Sequence, residues 1–177
     1  MDEGPRREQS VTLKIGKGMT LTAWIIVLLI ATLYFDRFLE QQHNPNQNLQ
    51  TVESEGVREI TLLQNRQGHY VASGQINGSK VSFLLDTGAT DVSIPERVAT
   101  RLRLSRGPEV EVMTANGTIP VFMTVLDEIR IDDIELRNIR ASINPYMDAD
   151  EILLGMSFLK HLEFTQRGEK LILRQYF

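Results

Sequence analysis

The sequence predicts an all-β domain, a closed or partly closed barrel with one or two short helices, preceded by a single membrane-spanning helix. Three observations point there. Residues 19–35 (MTLTAWIIVLLIATLYF) run without a charge. Downstream, short runs rich in Val, Ile and Leu alternate with turn signals, among them Asn77-Gly78 and Asn116-Gly117. Helical periodicity beyond residue 57 is confined to two short stretches.

Composition narrows the function classes. A net charge of −4 and a pI near 5.4 argue against a nucleic-acid-binding surface, which is usually basic. With no cysteine there is neither a disulfide framework nor a thiol nucleophile. The three histidines, His43, His69 and His161, are scattered rather than spaced as metal ligands. No metal, nucleotide or organic cofactor is implied.

The elements follow in order. Residues 1–18 form a cytoplasmic segment, and 19–36 read as the anchor, short but adequate for a bilayer core of ~30 Å at 1.5 Å rise per residue. A buried core helix would show a polar face, and this run has only scattered threonines. A cleaved signal peptide would end in a small-x-small site, whereas the run leaves through Leu33, Tyr34, Phe35 and Asp36. Arg6, Arg7, Lys14 and Lys17 precede the span and only Arg37 follows closely. That bias retains the N-terminus in the cytoplasm and exports the rest, to the periplasm if the membrane is the inner membrane of a Gram-negative cell. Residues 37–56, rich in Gln and Asn and broken by Pro45, read as a flexible polar stalk.

Residues 57–177 carry the folded domain. Strands are expected at 60–63, 70–76, 81–85, 110–114, 118–125, 129–131, 139–143 and 171–173. Asn77-Gly78 suits a type I′ hairpin. Short helices are expected at 95–104, behind Pro95, and at 157–162. The C-terminal run 171–177 either pairs with another chain or closes the barrel within its own.

The chemistry concentrates in Phe83-Leu84-Leu85-Asp86-Thr87-Gly88-Ala89-Thr90. An apolar strand runs straight into an Asp-Thr-Gly turn. Asp86 could be only a turn-capping aspartate, and a three-residue motif recurs by chance. Its context adds weight. About 70 residues on comes a second apolar run, Ile152-Leu153-Leu154-Gly155, before a short helix, with the Asn116-Gly117 hairpin in between.

In these four elements, and in their order and spacing, residues 68–164 resemble the retropepsin-like aspartic proteases. With the preceding span, the whole is similar to the membrane-anchored bacterial branch with an Asp-Thr-Gly-Ala motif. The resemblance implies that Asp86 is one half of a catalytic pair, that Thr87 hydrogen-bonds across a dimer, and that Gly88 lets substrate and partner carboxylate approach. It also implies that residues 113–119 form a flap, and that Ala89, Ala115, Asn116, Gly117 and Leu154 lie at the substrate. Such chemistry needs two carboxylates sharing one proton. The chain has one Asp-Thr-Gly and no Asp-Ser-Gly, so an enzyme of this type would be a two-fold homodimer acting on polypeptide. The alternative is a membrane-tethered peptide-binding or scaffold module that keeps the fold without catalysis. In retroviral members an acidic residue and an Arg form an ion pair at the positions held here by Thr90 and Met156; neither is present.

The remaining candidates are ordinary. Asp132-Asp133 and Asp148-x-Asp150 lack the oxygen-rich loop of a calcium site and read as turns. Arg101, Arg103 and Arg106 read as a solvated face, and His161 as surface.

Overall fold

The computed structural model describes residues 6–114 and 117–177. The chain divides into two compact units after Glu40. The first is helical. Helix α1 (Arg6–His43) has no proline, and within it Met19–His43 is long and apolar enough to cross a membrane, with a mean hydropathy of 1.9. From Met19 to Leu39 its apolar side chains, Trp24, Leu28 and Phe35 among them, are exposed. The helix stops two residues before Pro45, because the residue preceding a proline is sterically turned away from the α region.

The second unit is the barrel. Its strands are β1 (Val52–Ser54), β2 (Val57–Leu63), β3 (Val71–Ile76), β4 (Ser79–Leu85), β5 (Val92–Pro95), β6 (Glu109–Thr114), β7 (Gly117–Ile131), β8 (Ile134–Asn144), β9 (Ile152–Leu154), β10 (Glu163–Arg167) and β11 (Lys170–Tyr176). The larger sheet has the order β3-β4-β9-β5-β8-β7-β6, and pairing of β3 with β7 closes six of its strands into a ring. A second sheet, β1-β2-β11-β10, packs Ile60, Leu62, Leu171 and Leu173 into the same core as Phe83, Ile94, Ile143, Ile152 and Phe158.

Local chemistry explains the turns. Asn77 and Gly78 take φ of 49° and 76°, the left-handed pair that a type I′ turn demands and that Asn-Gly supplies with least strain. Asp132-Asp133 link β7 to β8 as a two-residue turn, held by Thr51, whose hydroxyl donates to Asp132 Oδ2 at 2.6 Å. The runs expected at 118–125 and 129–131 form one long strand, β7, which pairs with β6 at one end and with β3 at the other.

Helix α2 (Glu96–Arg101) is shorter than expected: Arg103 adopts a left-handed φ of 55° and the Leu104 N–H turns back to Ala99 O. Helix α3 (Met156–Leu159) is a single turn continued by i→i−3 bonds. The C-terminal run pairs within its own chain, as β11 between β2 and β10.

Residues 44–54 are more than a polar spacer. Asn46 is 3% exposed and fills the gap where β2 and β3 part into different sheets. Its side-chain NH2 donates to Leu63 O (2.9 Å) and Val71 O (2.7 Å), and its Oδ1 accepts from the Leu63 N–H (2.7 Å). Asn44 is also buried: its Oδ1 accepts the Asn46 N–H and its NH2 reaches Ser73 Oγ. Asn-rich composition signals a solvated segment only when the amides face water, and here they replace missing ladder partners. Strand β1 then adds an edge to β2.

Candidate active site

Strand β4 delivers Asp86. Phe83 and Val81 point into the core, and the strand ends where the Leu85 N–H bonds to Tyr70 O and the Asp86 N–H to Leu154 O. The chain then turns tightly: the Ala89 N–H donates to Asp86 O at 3.2 Å, and the Gly88 N–H donates to the Asp86 carboxylate Oδ1 at 2.8 Å. One carboxylate oxygen is thus fixed by the turn itself. Asp86 is half-buried, while Thr87 and Gly88 are exposed.

Beneath the turn lies β9, parallel to β4, pairing Leu84 with Leu153 and Leu85 with Leu154. Gly155 follows, wedged against the backbone: a Cβ there would stand 2.2 Å from Asp91 O and 2.6 Å from Ala89 O. The Met156 N–H donates to Ala89 O (2.8 Å) and the Ser157 N–H to Thr90 O (2.9 Å). Ser157 is buried and its hydroxyl ties two strands together, donating to Arg140 O (2.8 Å) while accepting the Val92 N–H (2.9 Å). These bonds hold the turn without the ion pair that Thr90 and Met156 lack. A charge pair sits one residue on instead, Asp91 with Arg140 at 2.8 Å.

The expected residues separate into three groups. Asp86, Thr87, Gly88 and Ala89 form the turn, with Gly155 directly under it. Leu154 is fully buried in the core. Leu84 and Leu153, paired across β4 and β9, are partly exposed beside the turn. Strand alternation is the signal for them, since Leu84 lies two residues before Asp86 and so shares its face. Gly117 belongs to the β6–β7 hairpin at the far edge of the larger sheet, where Met113 is 89% exposed and Gly117 pairs with Thr114. Ala115 and Asn116 lie outside the described residues.

A cavity of about 360 Å³ opens beside the turn, lined by Leu85, Asp86, Thr87, Tyr70, Phe164 and Gln166 among others. The Tyr70 hydroxyl is buried with no hydrogen-bond partner among the described residues; burial, and then the Glu169 carboxylate, push its pKa up.

A ring of six strands with an Asp-Thr-Gly turn braced by a Gly-capped apolar strand defines a single-lobed protein of the aspartic protease class. The comparisons agree. Residues 72–161 match the family model described as "gag-polyprotein putative aspartyl protease". A crystal structure of a retropepsin-like aspartic protease from Rickettsia conorii superposes with a TM-score of 0.56 at 28% identity, covering 72% of this chain and 95% of that one. An uncharacterized protein from the cobV 5′ region of a Sinorhizobium species is 34% identical over 91% of this chain and 75% of its own length. An uncharacterized protein of Rickettsia prowazekii (strain Madrid E) is 27% identical over 68% of this chain, which spans about half of that relative (52%). The chain belongs to the retropepsin-like aspartic protease family.

Proposed function

We propose that the protein is a membrane-anchored aspartic endopeptidase whose active form is a homodimer, with Asp86 contributed by each copy. The observation that carries this reading is the Asp86 turn: a half-buried carboxylate held on one oxygen by the Gly88 N–H, beside an exposed Thr87 and Gly88. Its second oxygen accepts no hydrogen bond from the described residues. Two such carboxylates facing each other would share one proton, because like charges at that spacing resist double ionisation. The ionised member would take a proton from a water as it attacks the scissile carbonyl, and the protonated one would donate to the carbonyl oxygen. Leu84 and Leu153 give the cleft an apolar floor for an extended peptide, and the β6–β7 hairpin is the natural cover.

In this reading the apolar part of α1 is the anchor, residues 1–18 stay in the cytoplasm, and the lysine and arginine bias exports the domain.

The test uses the full chain in detergent micelles with a peptide library between about pH 4 and 7, comparing wild type with Asp86→Asn. Cleavage lost in the variant, with an unchanged far-UV spectrum, supports the proposal. If neither form cleaves at concentrations where dimers are present, the enzyme reading fails and a tethered peptide-binding module takes its place.

A further inference from the structure

The outer face of the larger sheet carries a second cavity, about 660 Å³ in volume, that shares no residue with the one beside Asp86. Its floor is β7. Met123, Val125 and Asp127 alternate there with the buried Thr124 and Leu126, so they point away from the core. Val125 is 59% exposed, with Arg140 of β8 directly opposite it. One wall is the loop 103–108, which brings Leu104 and Pro108 to the cavity. Two backbone bonds fix that loop to β7, Gly107 N–H to Met123 O (2.7 Å) and Met123 N–H to Pro108 O (2.9 Å), so the cavity is formed without a ligand.

Three guanidiniums line it. Arg106 lies over the Phe122 ring at 4.8 Å and pairs with Glu96, and Arg140 pairs with Asp91 at 2.8 Å. Each of these pairs uses one nitrogen, and a guanidinium offers five N–H donors in all. Arg103 has no hydrogen-bond or ion-pair partner among the described residues. Asp127 is the one acid among the described residues of the lining, four strand positions along from Met123.

The backbone singles out Arg103. It follows α2 in a left-handed turn with φ 55°, its own N–H bonded to Thr100 O (3.1 Å) and the Leu104 N–H to Ala99 O (3.0 Å). Glycine is the usual occupant of that position after a helix, because a Cβ is disfavoured at such a φ. An arginine there strains the turn and forms no polar contact that offsets the strain. Strain kept at such a place fits a side chain held for binding.

We infer that this cavity is a second peptide-binding site, for a short segment in which a carboxylate side chain is flanked by apolar ones. Arg103 takes the carboxylate, with the spare donors of Arg106 and Arg140 beside it, and Leu104, Met123 and Val125 bed the apolar neighbours. An Arg fork matches a carboxylate in shape as well as charge. The floor from Met123 to Asp127 runs about 13 Å at strand rise, the length of a few extended residues and too long for a simple anion. Asp127 repels a second acid at the far end and so sets which way the segment lies. The inference does not depend on catalysis at Asp86: an endopeptidase holding its substrate at two places and a tethered peptide-binding module would both use this site.

The test uses the full chain carrying Asp86→Asn in uncharged detergent micelles, so that binding is read apart from cleavage. Titration calorimetry compares an acetylated, amidated pentapeptide, Gly-Leu-Glu-Leu-Gly, with its Gln counterpart. The Glu peptide is expected to bind roughly tenfold tighter. Arg103→Gly should abolish that preference while leaving the thermal midpoint unchanged or raised, since the turn then holds the residue its φ favours. Asp127→Asn should tighten the Glu peptide by roughly two- to threefold.

Equal binding of the two peptides, or a preference that survives Arg103→Gly, overturns the site. A midpoint that falls sharply in Arg103→Gly makes Arg103 a structural residue and overturns its role here. If benzoate at the peptide's own concentration displaces it, the site takes a small organic anion and the peptide assignment is overturned. Selective binding of the Glu peptide by a protein whose wild type cleaves nothing upholds the inference while the endopeptidase reading fails.

Discussion

Asn46→Ala is expected to destabilise the folded domain by roughly 2–5 kcal/mol. The side chain makes three hydrogen bonds at 2.7–2.9 Å, and all three partners are backbone groups that no strand satisfies on that side. Val71 is 1% exposed, so its carbonyl loses its amide partner with no water at hand, at a cost of about 1–3 kcal/mol. The Leu63 N–H and C=O are only partly buried and regain water, which lowers their share to about 0.5–1 kcal/mol each. Urea denaturation of residues 41–177 measures the sum. With a slope of roughly 2 kcal/mol/M, the midpoint should fall by about 1–2.5 M. Asn48→Ala, at an exposed neighbour, should leave it unchanged. A shift in Asn46→Ala below about 0.25 M would refute the reasoning and return residues 44–54 to the role of a passive spacer. By the same logic a domain truncated at Val57 loses β1 and the Asn46 bridge, and should be markedly less stable than one starting at Gln41.

Other expectations follow from the braces around the turn. Gly155→Ala sets a methyl against two backbone oxygens that cannot retreat, and should cost about 3 kcal/mol or more, read as a lowered thermal midpoint. Ser157→Ala removes the hydroxyl between Val92 N and Arg140 O; with both groups in or near the core the loss should be about 1–3 kcal/mol, and cleavage should fall with it. Glu135 gives a pH test: the hydrogen bond from Arg137, aided by the charges of Arg137 and Arg130 and opposed by desolvation, holds its carboxyl below the ordinary value of 4.5. Its contribution is therefore complete above that value and disappears as pH falls through the depressed one. Glu135→Gln should be less stable than wild type at neutral pH, with the gap closing toward pH 3 in urea-unfolding series; a gap that widens in acid would contradict the assignment.

Much of the fold was legible because the signals were local. Asn77-Gly78 declared its turn by the φ it can adopt, and the apolar 81–85 run its strand by burial. The Asp86 turn and the Ile152–Leu154 strand under it could be matched by order and spacing alone. What stayed hidden depends on partners distant in sequence. β5 is four residues long and ends in Pro95, and β10 is mostly polar, so both read as loop; they become strands because β8 and β11 offer them a partner. Leu154 and Leu153 are indistinguishable as letters, and only the register against Leu85 and Leu84 sends one into the core and leaves the other at the surface. Asn44 and Asn46 carry the composition of a disordered segment, and nothing in a local window reveals that two sheets diverge where their amides are needed.

The turn bearing Asp86 is held almost wholly by backbone. Asp86, Ala89, Met156 and Ser157 give their N–H groups to Leu154 O, Asp86 O, Ala89 O and Thr90 O, and Gly155 removes the one side chain that would prise them apart. Such bracing is insensitive to charge, which is why Thr90 and Met156 can replace an acid and a base without loosening the loop.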